Sequence, residues 1–214
     1  ALGTTEVVLT VADQGLTSTC NATITVVDNT NPTVVAQNVT IALDNNGSAS
    51  TSAADVNNGS SDNVGIVSLS LSKTAFTCAN LGANTVTLYA TDAAGNTDSA
   101  TATVTVVDLI SPTFVTYANQ TYCQDASGNY AIPAVVANDN CAVVSYTYSI
   151  TGATVRSGAG ADASGNLSVG VNTILYTAFD ASGNSGTVTV TVTVNPAPVG
   201  SITTSTADAL CNEI

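Results

Sequence analysis

The stretch NATITVVDNTNPT, residues 21–33, recurs as TATVTVVDLISPT at residues 101–113, and TVTVTVNPAPV at residues 189–199 is a third, looser copy. Each copy begins with alternating Thr and apolar residues, which is the pattern of a half-buried β-strand. Each then continues into a short linker that contains a proline. Internal repetition of this kind predicts a tandem array of similar modules, with boundaries at Pro32, Pro112 and Pro196.

Between these boundaries, short alternating segments are separated by Gly, Asn and Asp, without helical periodicity. We predict strands at 34–43, 48–55, 64–72, 74–78, 84–91 and 99–107, and then at 114–124, 129–137, 142–150, 152–157, 167–170, 172–179 and 186–195. Six or seven antiparallel strands per module indicate an all-β fold of tandem immunoglobulin-like antiparallel β-sandwiches in a linear array. The predicted domains are the last hairpin of a preceding repeat (1–30), two full repeats (31–111 and 112–197) and the start of a following repeat (198–214).

The composition excludes several classes of function. Lys73 and Arg156 are the only bases against 15 acidic residues, and the net charge is -13, so nucleic acid is not an expected partner. The chain has no His, which removes Ser-His-Asp catalysis and His-ligated zinc. A carboxylate-pair glycosidase stays formally open. No run is apolar enough to insert into a membrane.

Acidic residues recur in three segments of each full repeat: the incoming linker, the loop between the second and third strands, and the loop between the last two strands. In an immunoglobulin-like topology these segments meet at one end of the domain. Asp, Asn and backbone carbonyl oxygens are the ligands of Ca²⁺, which takes six to eight of them. The predicted metal ligands are Asp28, Asn29, Asp55, Asp62, Asp92 and Asn96 where the chain enters the first full repeat, and Asp108, Asp139, Asp180 and Asn184 where it enters the second.

The alternative interpretation is that these loops are solvated and that their Asp and Asn residues only form turns. We expect that role for Asp125, for its counterpart Asp44, and for Asp162, because none of them lies in the three converging segments.

The chain has five cysteines, an odd number that needs an explanation. Aligning the two full repeats places Cys123 at Ala42 and Cys141 at Val64, so the first repeat lacks both and the second has both. Their joint presence predicts a Cys123–Cys141 disulfide. The two cysteines nearest the ends, Cys20 and Cys211, are interpreted as having partners outside this sequence.

Several segments resemble hyalin repeats and the related immunoglobulin-like repeats of large cell-surface adhesins of gliding Bacteroidota, which are exported by type IX secretion. The matching segments are SAADVNNGSSDNVGI (52–66), FTCANLGANTVTLYATDAAGN (76–96), STCNATITVVD (18–28) and NDNCAVV (138–144). The resemblance implies an extracellular, cell-surface protein that binds Ca²⁺, and it implies the same Cys123–Cys141 bond. It also implies that Cys78 would pair at the position of Ala100, so we expect Cys78 to be a buried free thiol. Finally, Asp98-Ser99-Ala100 resembles an O-glycosylation acceptor of these bacteria, with Ser99 as the modified residue.

The predicted function is a non-catalytic, calcium-stiffened structural segment of a long adhesin that serves cell-surface adhesion or gliding motility. Its expected partners are neighbouring repeats, and a surface polysaccharide or another cell-surface protein. Two alternatives remain open: a spacer module of a secreted enzyme, and a subunit of an extracellular filament that assembles by strand addition. Direct carbohydrate binding is disfavoured because the chain has no Trp and few aromatic residues.

Overall fold

The computed structural model describes residues 2–198, so most of the predicted following repeat at 198–214 lies outside the described residues. Contacts divide these residues into two compact units, one of residues 2–41 and 49–106, the other of residues 42–48 and 107–198. Both units consist of mostly antiparallel sheets with very little helix, and the predicted all-β, immunoglobulin-like fold is confirmed. Within the described residues, no helix combines the length and apolar character that a membrane crossing requires.

The chain begins with a two-stranded hairpin, β1 (Gly3–Asp13) and β2 (Leu16–Val26). Asp13 pairs with Leu16, so the turn consists of Gln14 and Gly15 alone. Both have positive φ, 45° and 88°, as a two-residue turn between twisted strands requires. Every residue of β1 and β2 is exposed, so within the described residues neither face of this hairpin is covered.

The remainder of the first unit is built on a four-stranded sheet with the order β3-β8-β7-β5, and β4 pairs with β6. The elements are β3 (Val39–Ala42), β4 (Ser48–Ser50), α1 (Ala53–Val56), β5 (Ile66–Leu71), β6 (Ala75–Thr77), a 3₁₀ turn (Cys78–Asn80), β7 (Gly82–Asp92) and β8 (Thr97–Val107). Alternate residues of β7 and β8 are fully buried, among them Val86, Leu88 and Val104. The alternation of the sequence therefore matches the two faces of this sheet.

The predicted strand 48–55 is wrong in its second half, because the chain leaves β4 and starts the helical turn α1. Ser52 caps that turn: its hydroxyl accepts from the Asp55 backbone N–H at 3.4 Å, while the Asp55 carboxylate accepts from the Ser52 N–H at 2.8 Å. This reciprocal pair is a capping box. Four residues are too few to produce helical periodicity, but Ser-x-x-Asp was a readable signal in the sequence.

The second unit centres on a five-stranded sheet with the order β10-β17-β16-β13-β14, in which β10 runs parallel to β17. The strands are β9 (Thr113–Phe114), β10 (Gln120–Cys123), β11 (Asn129–Tyr130), β12 (Ala137–Asn138), β13 (Val143–Gly152), β14 (Arg156–Ala159), β15 (Gly165–Asn166), β16 (Gly170–Asp180) and β17 (Ser185–Asn195). Two further two-stranded sheets pair β11 with β15 and β9 with β12. Ile150, Ile174, Tyr176 and Val192 lie at the centre of the core and are at most 1% exposed.

The predicted strand 129–137 also differs from the structure, because only its two ends are strands. Between them, side chains replace the missing ladder. The Ile132 N–H donates to the Ser164 hydroxyl at 2.8 Å, and the Val136 N–H donates to the Tyr117 hydroxyl. A half-buried segment can leave a sheet only when its backbone groups find such partners.

The predicted disulfide between Cys123 and Cys141 is wrong, although both residues are disulfide-bonded. Cys123 lies beside Asn195, at the end of the sheet where β16 begins, whereas Cys141 precedes Val143, which pairs with the last residue of β16. The two cysteines are therefore separated by nearly the full length of a strand, roughly 30 Å at about 3.3 Å per residue. Bridged cysteines have Cα atoms about 4.4–6.8 Å apart.

The expectation that Cys78 is a free thiol is also wrong, because Cys78 is disulfide-bonded. Cys20 is free and exposed on β2. Presence and absence across the repeats thus identified Cys123 and Cys141 as oxidised, but failed for Cys78 and could not identify the partners.

Candidate metal centres

Three aspartates of the first unit converge at one point. Asp28 follows β2, Asp62 lies between α1 and β5, and Asp92 ends β7. One carboxylate oxygen from each lies within 4.8 Å of those of the other two. Asp28 and Asp92 are buried, at 7% and 2% exposed, and Asp62 is half-buried.

The β7–β8 loop fixes Asp92 through local hydrogen bonds. Asp92 Oδ1 accepts from the backbone N–H groups of Ala94 at 2.9 Å and Asn96 at 2.8 Å. Asn96 Nδ2 donates to Asp92 Oδ2 at 2.7 Å and also to the Asp28 carbonyl oxygen at 3.2 Å. Gly95 has φ 93°, which closes the loop in the left-handed region that glycine tolerates. The sequence Asp-Ala-Ala-Gly-Asn therefore both forms the turn and attaches it to the linker.

The other two aspartates are oriented in the same way, each by one of its own oxygens. Asp28 Oδ1 accepts from the Thr30 N–H at 3.0 Å and from Asn63 Nδ2 at 3.2 Å. Asp62 Oδ2 accepts from the N–H groups of Val64 at 2.8 Å and Gly65 at 3.0 Å. In both residues the second carboxylate oxygen is left for another partner.

The second unit repeats this arrangement with Asp108, Asp139 and Asp180, whose carboxylate oxygens also lie within 4.8 Å of one another. Asn184 Nδ2 donates to Asp180 Oδ2 at 2.7 Å and to the Asp108 carbonyl oxygen at 3.1 Å. Asn140 Nδ2 donates to Asp108 Oδ1 at 3.1 Å. The same types of contact, at nearly the same distances, thus occur in two parts of one chain.

Four carboxylate oxygens in these clusters are buried and have no hydrogen-bond donor in the part of the chain that the structure describes. They are Asp28 Oδ2, Asp62 Oδ1, Asp108 Oδ2 and Asp139 Oδ1. A buried carboxylate oxygen without a partner is costly, and three carboxylates within contact distance also repel one another. The clusters therefore require positive charge.

Neither base supplies that charge. Lys73 Nζ lies 4.8 Å above the ring centroid of Phe76, and Arg156 Nη2 donates to the carbonyl oxygen of Ala163. The cluster atoms without a hydrogen-bond partner are all carboxylate oxygens, and oxygen ligands suit a hard cation such as Ca²⁺ rather than zinc or copper. The residues present therefore fit Ca²⁺ as the charge that each cluster needs.

The carboxyl of Asp92 is held in its ionised form. Burial raises the pKa of Asp92, but hydrogen bonds from Asn96, Ala94 and Gly95 together outweigh that effect and leave its pKa below the ordinary value. The loop thus supports a negative charge at neutral pH, as a cation ligand requires.

The structure brings together six of the predicted ligands, places two beside them and leaves two apart. Asp28, Asp62, Asp92, Asp108, Asp139 and Asp180 form the clusters, and Asn96 and Asn184 contact them through their side-chain amides. Asp55 is not part of the cluster, because its carboxylate is committed to Ser52 and Thr51. Asn29 is exposed beside Asp28.

Sequence reasoning missed the amides of Asn63 and Asn140, which hold the linker carboxylates. The signal was the Asp-Asn pair, which occurs at 62–63 and again at 139–140. The remaining acidic loops behave as expected of turns. Asp44 accepts from the Asn46 and Ser48 N–H groups, Asp125 from those of Ser127 and Gly128, and Asp162 from that of Ser164.

No protein-family model and no curated protein matches this chain. Among solved structures, it is similar to human cadherin-23 extracellular repeats 21–23, with 17% identity over 89% of this chain and 74% of that one, at a TM-score of 0.45. It is also similar to mouse clustered protocadherin gamma C3 repeats 1–3, with 15% identity, coverage of 91% and 77%, and a TM-score of 0.41. It is similar as well to protocadherin gamma B7 repeats 3–6, with 17% identity over 90% of this chain and 58% of that one, at a TM-score of 0.38. This chain thus spans little more than half of that structure's chain. All three TM-scores are below 0.5.

Proposed function

We propose that this chain is a non-catalytic structural segment of a long extracellular adhesin of the hyalin-repeat type, stiffened by one Ca²⁺ ion at each acidic cluster. The observation that carries the proposal is the duplicated cluster, in which three carboxylates and two amides are arranged alike in the two units. A cation bound there joins the linker aspartate to two loops of the same unit. The linker can then no longer swing freely where the chain enters the repeat.

Ca²⁺ is favoured over Mg²⁺ because the donors form an irregular set of protein oxygens, whereas Mg²⁺ prefers octahedral geometry with several waters. Each cluster carries three aspartates with no base beside them. A divalent ion reduces this charge and supplies a partner for the buried oxygens without hydrogen bonds.

An extracellular, cell-surface location is supported by the oxidised cysteines. Three of the four cysteines in the described residues are disulfide-bonded, which is typical of proteins that fold in an oxidising compartment. Ser99 is exposed on β8 and therefore accessible as a glycosylation acceptor. The partners we propose are neighbouring repeats of the same polypeptide, and a surface polysaccharide or another cell-surface protein bound elsewhere on the adhesin.

The proposal is tested by calorimetric titration of the metal-stripped chain with CaCl₂, together with small-angle scattering in Ca²⁺ and in chelator at matched ionic strength. We expect two Ca²⁺ ions per chain and a smaller spread of conformations when they are bound. A chain that binds no Ca²⁺, or whose scattering curve is the same in both buffers, would contradict the proposal.

A second candidate, assembly by strand addition, is favoured by the hairpin at the start of the chain. β1 and β7 are both 11-residue strands that end in Asp, so Val7, Leu9 and Val11 occupy the positions of Val86, Leu88 and Ala90. The β7 residues are at most 1% exposed, whereas the β1 residues are 36–62% exposed. The hairpin thus presents a core face that strands from elsewhere would cover. They come from a preceding repeat of the same polypeptide if residues 1–30 close that repeat, or from a neighbouring chain in a filament.

Equilibrium sedimentation tests whether a neighbouring chain covers the hairpin, and hydrogen exchange tests whether a preceding repeat does. A neighbouring chain predicts concentration-dependent association that Leu9→Thr abolishes. A preceding repeat predicts that, in the intact source protein, the amides of β1 and β2 are protected from hydrogen exchange at any concentration.

A further inference from the structure

We infer that Asn96 and Asn184 are positioning residues and not metal ligands. Their side-chain N–H groups tie the linker backbone to the loop aspartate, and this contact holds the carboxylates together before a cation arrives. The inference rests on the proposed function, because it assigns a role within the same two cation sites.

The contacts of the two amides are nearly identical. The two N–H groups of Asn96 reach Asp92 Oδ2 at 2.7 Å and the Asp28 carbonyl oxygen at 3.2 Å. Those of Asn184 reach Asp180 Oδ2 at 2.7 Å and the Asp108 carbonyl oxygen at 3.1 Å. A carboxamide has only two N–H donors, so both are used in each residue.

These contacts join parts of the chain that are far apart in sequence. Asn96 is 68 residues from Asp28, and Asn184 is 76 residues from Asp108. Each hydrogen bond fixes the linker at the residue whose carboxylate belongs to the cluster. Without that bond, repulsion between the linker aspartate and the loop aspartate would separate them.

The linker aspartates indicate that the arrangement is prepared for a ligand. Asp28 and Asp108 are only 7% and 4% exposed, and in each the Oδ2 atom has no hydrogen-bond donor among the described residues. The amide thus holds in place a buried carboxylate with one oxygen available. Fixing a first ligand through a neighbouring residue is how outer contacts raise the affinity of metal sites.

The hairpin β1–β2 ends its first strand in the same way but lacks the amide. Asp13 ends β1 as Asp92 ends β7, and both strands have 11 residues. The turn after Asp13 is Gln14-Gly15 followed by Leu16, so no asparagine lies where the longer loops have Asn96 and Asn184. Asp13 is exposed and belongs to neither of the acidic clusters found among the described residues.

Replacing the asparagine by aspartate distinguishes a ligand from a positioning residue. Asn184→Asp keeps the size and the Oδ1 atom and adds a negative charge, but it removes both N–H donors. A ligand acting through Oδ1 would bind Ca²⁺ as well or more tightly after this change. A positioning residue would lose affinity, and so would Asn184→Ala.

The experiment is calorimetric titration with CaCl₂ of the metal-stripped whole chain and of the variants Asn184→Asp, Asn184→Ala and Asn96→Asp. We expect the wild type to bind two ions, and each variant to weaken one site about 10- to 100-fold while leaving the other unchanged. Thermal melting in chelator is measured in parallel. If the asparagine only supported the fold, the variants would melt earlier in chelator and keep their Ca²⁺ affinity, and that result would overturn the inference.

The outcomes distinguish a failure of the proposed function from a failure of the positioning role alone. If the wild type binds no Ca²⁺, the proposed function fails and this inference fails with it. If the wild type binds two ions and both Asp variants bind them equally well or better, only the positioning role is overturned. Because the variants lie in different units, one that does not fold leaves the other to decide.

Discussion

In the first unit, Asp62 accepts hydrogen bonds from two backbone N–H groups, those of Val64 and Gly65, whereas in the second unit Asp139 accepts from one among the described residues, that of Cys141. Cys141 is disulfide-bonded, and Val64 at the equivalent position has no covalent restraint. The equivalent aspartates are thus restrained differently: Asp62 by an additional hydrogen bond, and Asp139 by the disulfide-bonded Cys141 two residues along the chain.

The asparagines next to Asp62 and Asp139 differ as well. Asn63 Nδ2 donates to Asp28 Oδ1, while Asn140 Nδ2 donates both to Asp108 Oδ1 and to the Asp44 carbonyl oxygen in the turn that belongs to the second unit. The three carboxylates and the two amides are common to both clusters, and only their supporting contacts have diverged. The shared part is therefore what a common function requires, and the divergent part is where the two sites can differ in affinity.

The largest effect expected is that of Ca²⁺ itself. Because binding to the folded state alone stabilises by mass action, Ca²⁺ at about 100 times its dissociation constant adds about 2.7 kcal/mol per site. For units of this size, that should raise the Tm by on the order of 10 °C over the value in chelator. Differential scanning calorimetry measures the shift, with Mg²⁺ at the same ionic strength as the control. Equal Tm values in Ca²⁺ and in chelator would mean that neither cluster binds Ca²⁺ in the folded protein.

Next in size is the neutralisation of one aspartate per cluster. Asp92→Asn and Asp180→Asn each remove one charge, so each variant should bind one Ca²⁺ ion instead of two, which native mass spectrometry measures. In chelator Asp92→Asn should melt lower than the wild type, because the hydrogen bonds that lower the pKa of Asp92 stabilise its charged form and the substituted amide would face the Asn96 Nδ2 donor. A Tm in chelator equal to or above that of the wild type would mean that repulsion among the carboxylates outweighs these hydrogen bonds in the metal-free protein.

The six cluster aspartates could be predicted from the sequence because they follow from topology alone. Alternating strands identify a sandwich, and a sandwich brings the linker and two loops to one end, so no side-chain geometry is needed to group Asp28, Asp62 and Asp92. The cysteine pairing could not be predicted in the same way. It depends on which end of the sheet each residue reaches, and this was unknown until the register of β10 against β17 placed Cys123 beside Asn195.

Other errors have local causes. Asp55 resembled a ligand by its position in an acidic loop, but its carboxylate completes the capping box of Ser52, three residues earlier. The segment between β11 and β12 is apolar and partly buried like a strand, with Ile132 and Val135 inside the core. The hydroxyls of Ser164 and Tyr117 accept from its backbone N–H groups in place of a neighbouring strand, and such long-range contacts are not visible in a single sequence.

A smaller effect is expected from reduction of the disulfides. With a dithiol present, the loop that carries Asp139 loses the restraint at Cys141, so the second site should weaken modestly and the first site, which has Val64 there, should not change. Calcium titration of reduced and oxidised protein measures the difference. Non-reducing peptide mapping of the same sample should show that Cys123 and Cys141 are never joined to each other. Equal weakening of both sites would show that the disulfide does not act through this loop.

The smallest effect is expected at a turn outside the clusters. Hydrogen bonds from Ser127 and Gly128 lower the pKa of Asp125. A group with a depressed folded pKa stabilises the protein above its unfolded pKa and loses that contribution as the pH falls through the folded pKa. Asp125→Asn should therefore bind two Ca²⁺ ions as before, and its Tm should fall less than that of the wild type between pH 7 and pH 3. Loss of a Ca²⁺ ion in this variant would show that the clusters are not the binding sites.

The uncovered hairpin has a consequence for how the chain behaves in concentrated solution. In the described structure β1 and β2 pair only with each other, so each has one open edge, and their charged residues are limited to Glu6 and Asp13. Exposed apolar strands without basic residues at their edges tend to aggregate edge to edge. The net charge of -13 opposes that tendency because the chains repel one another. In 0.1 M salt, however, this electrostatic repulsion is screened beyond a Debye length of about 10 Å. Solubility should therefore decrease as salt is added, with the hairpin as the point of first contact.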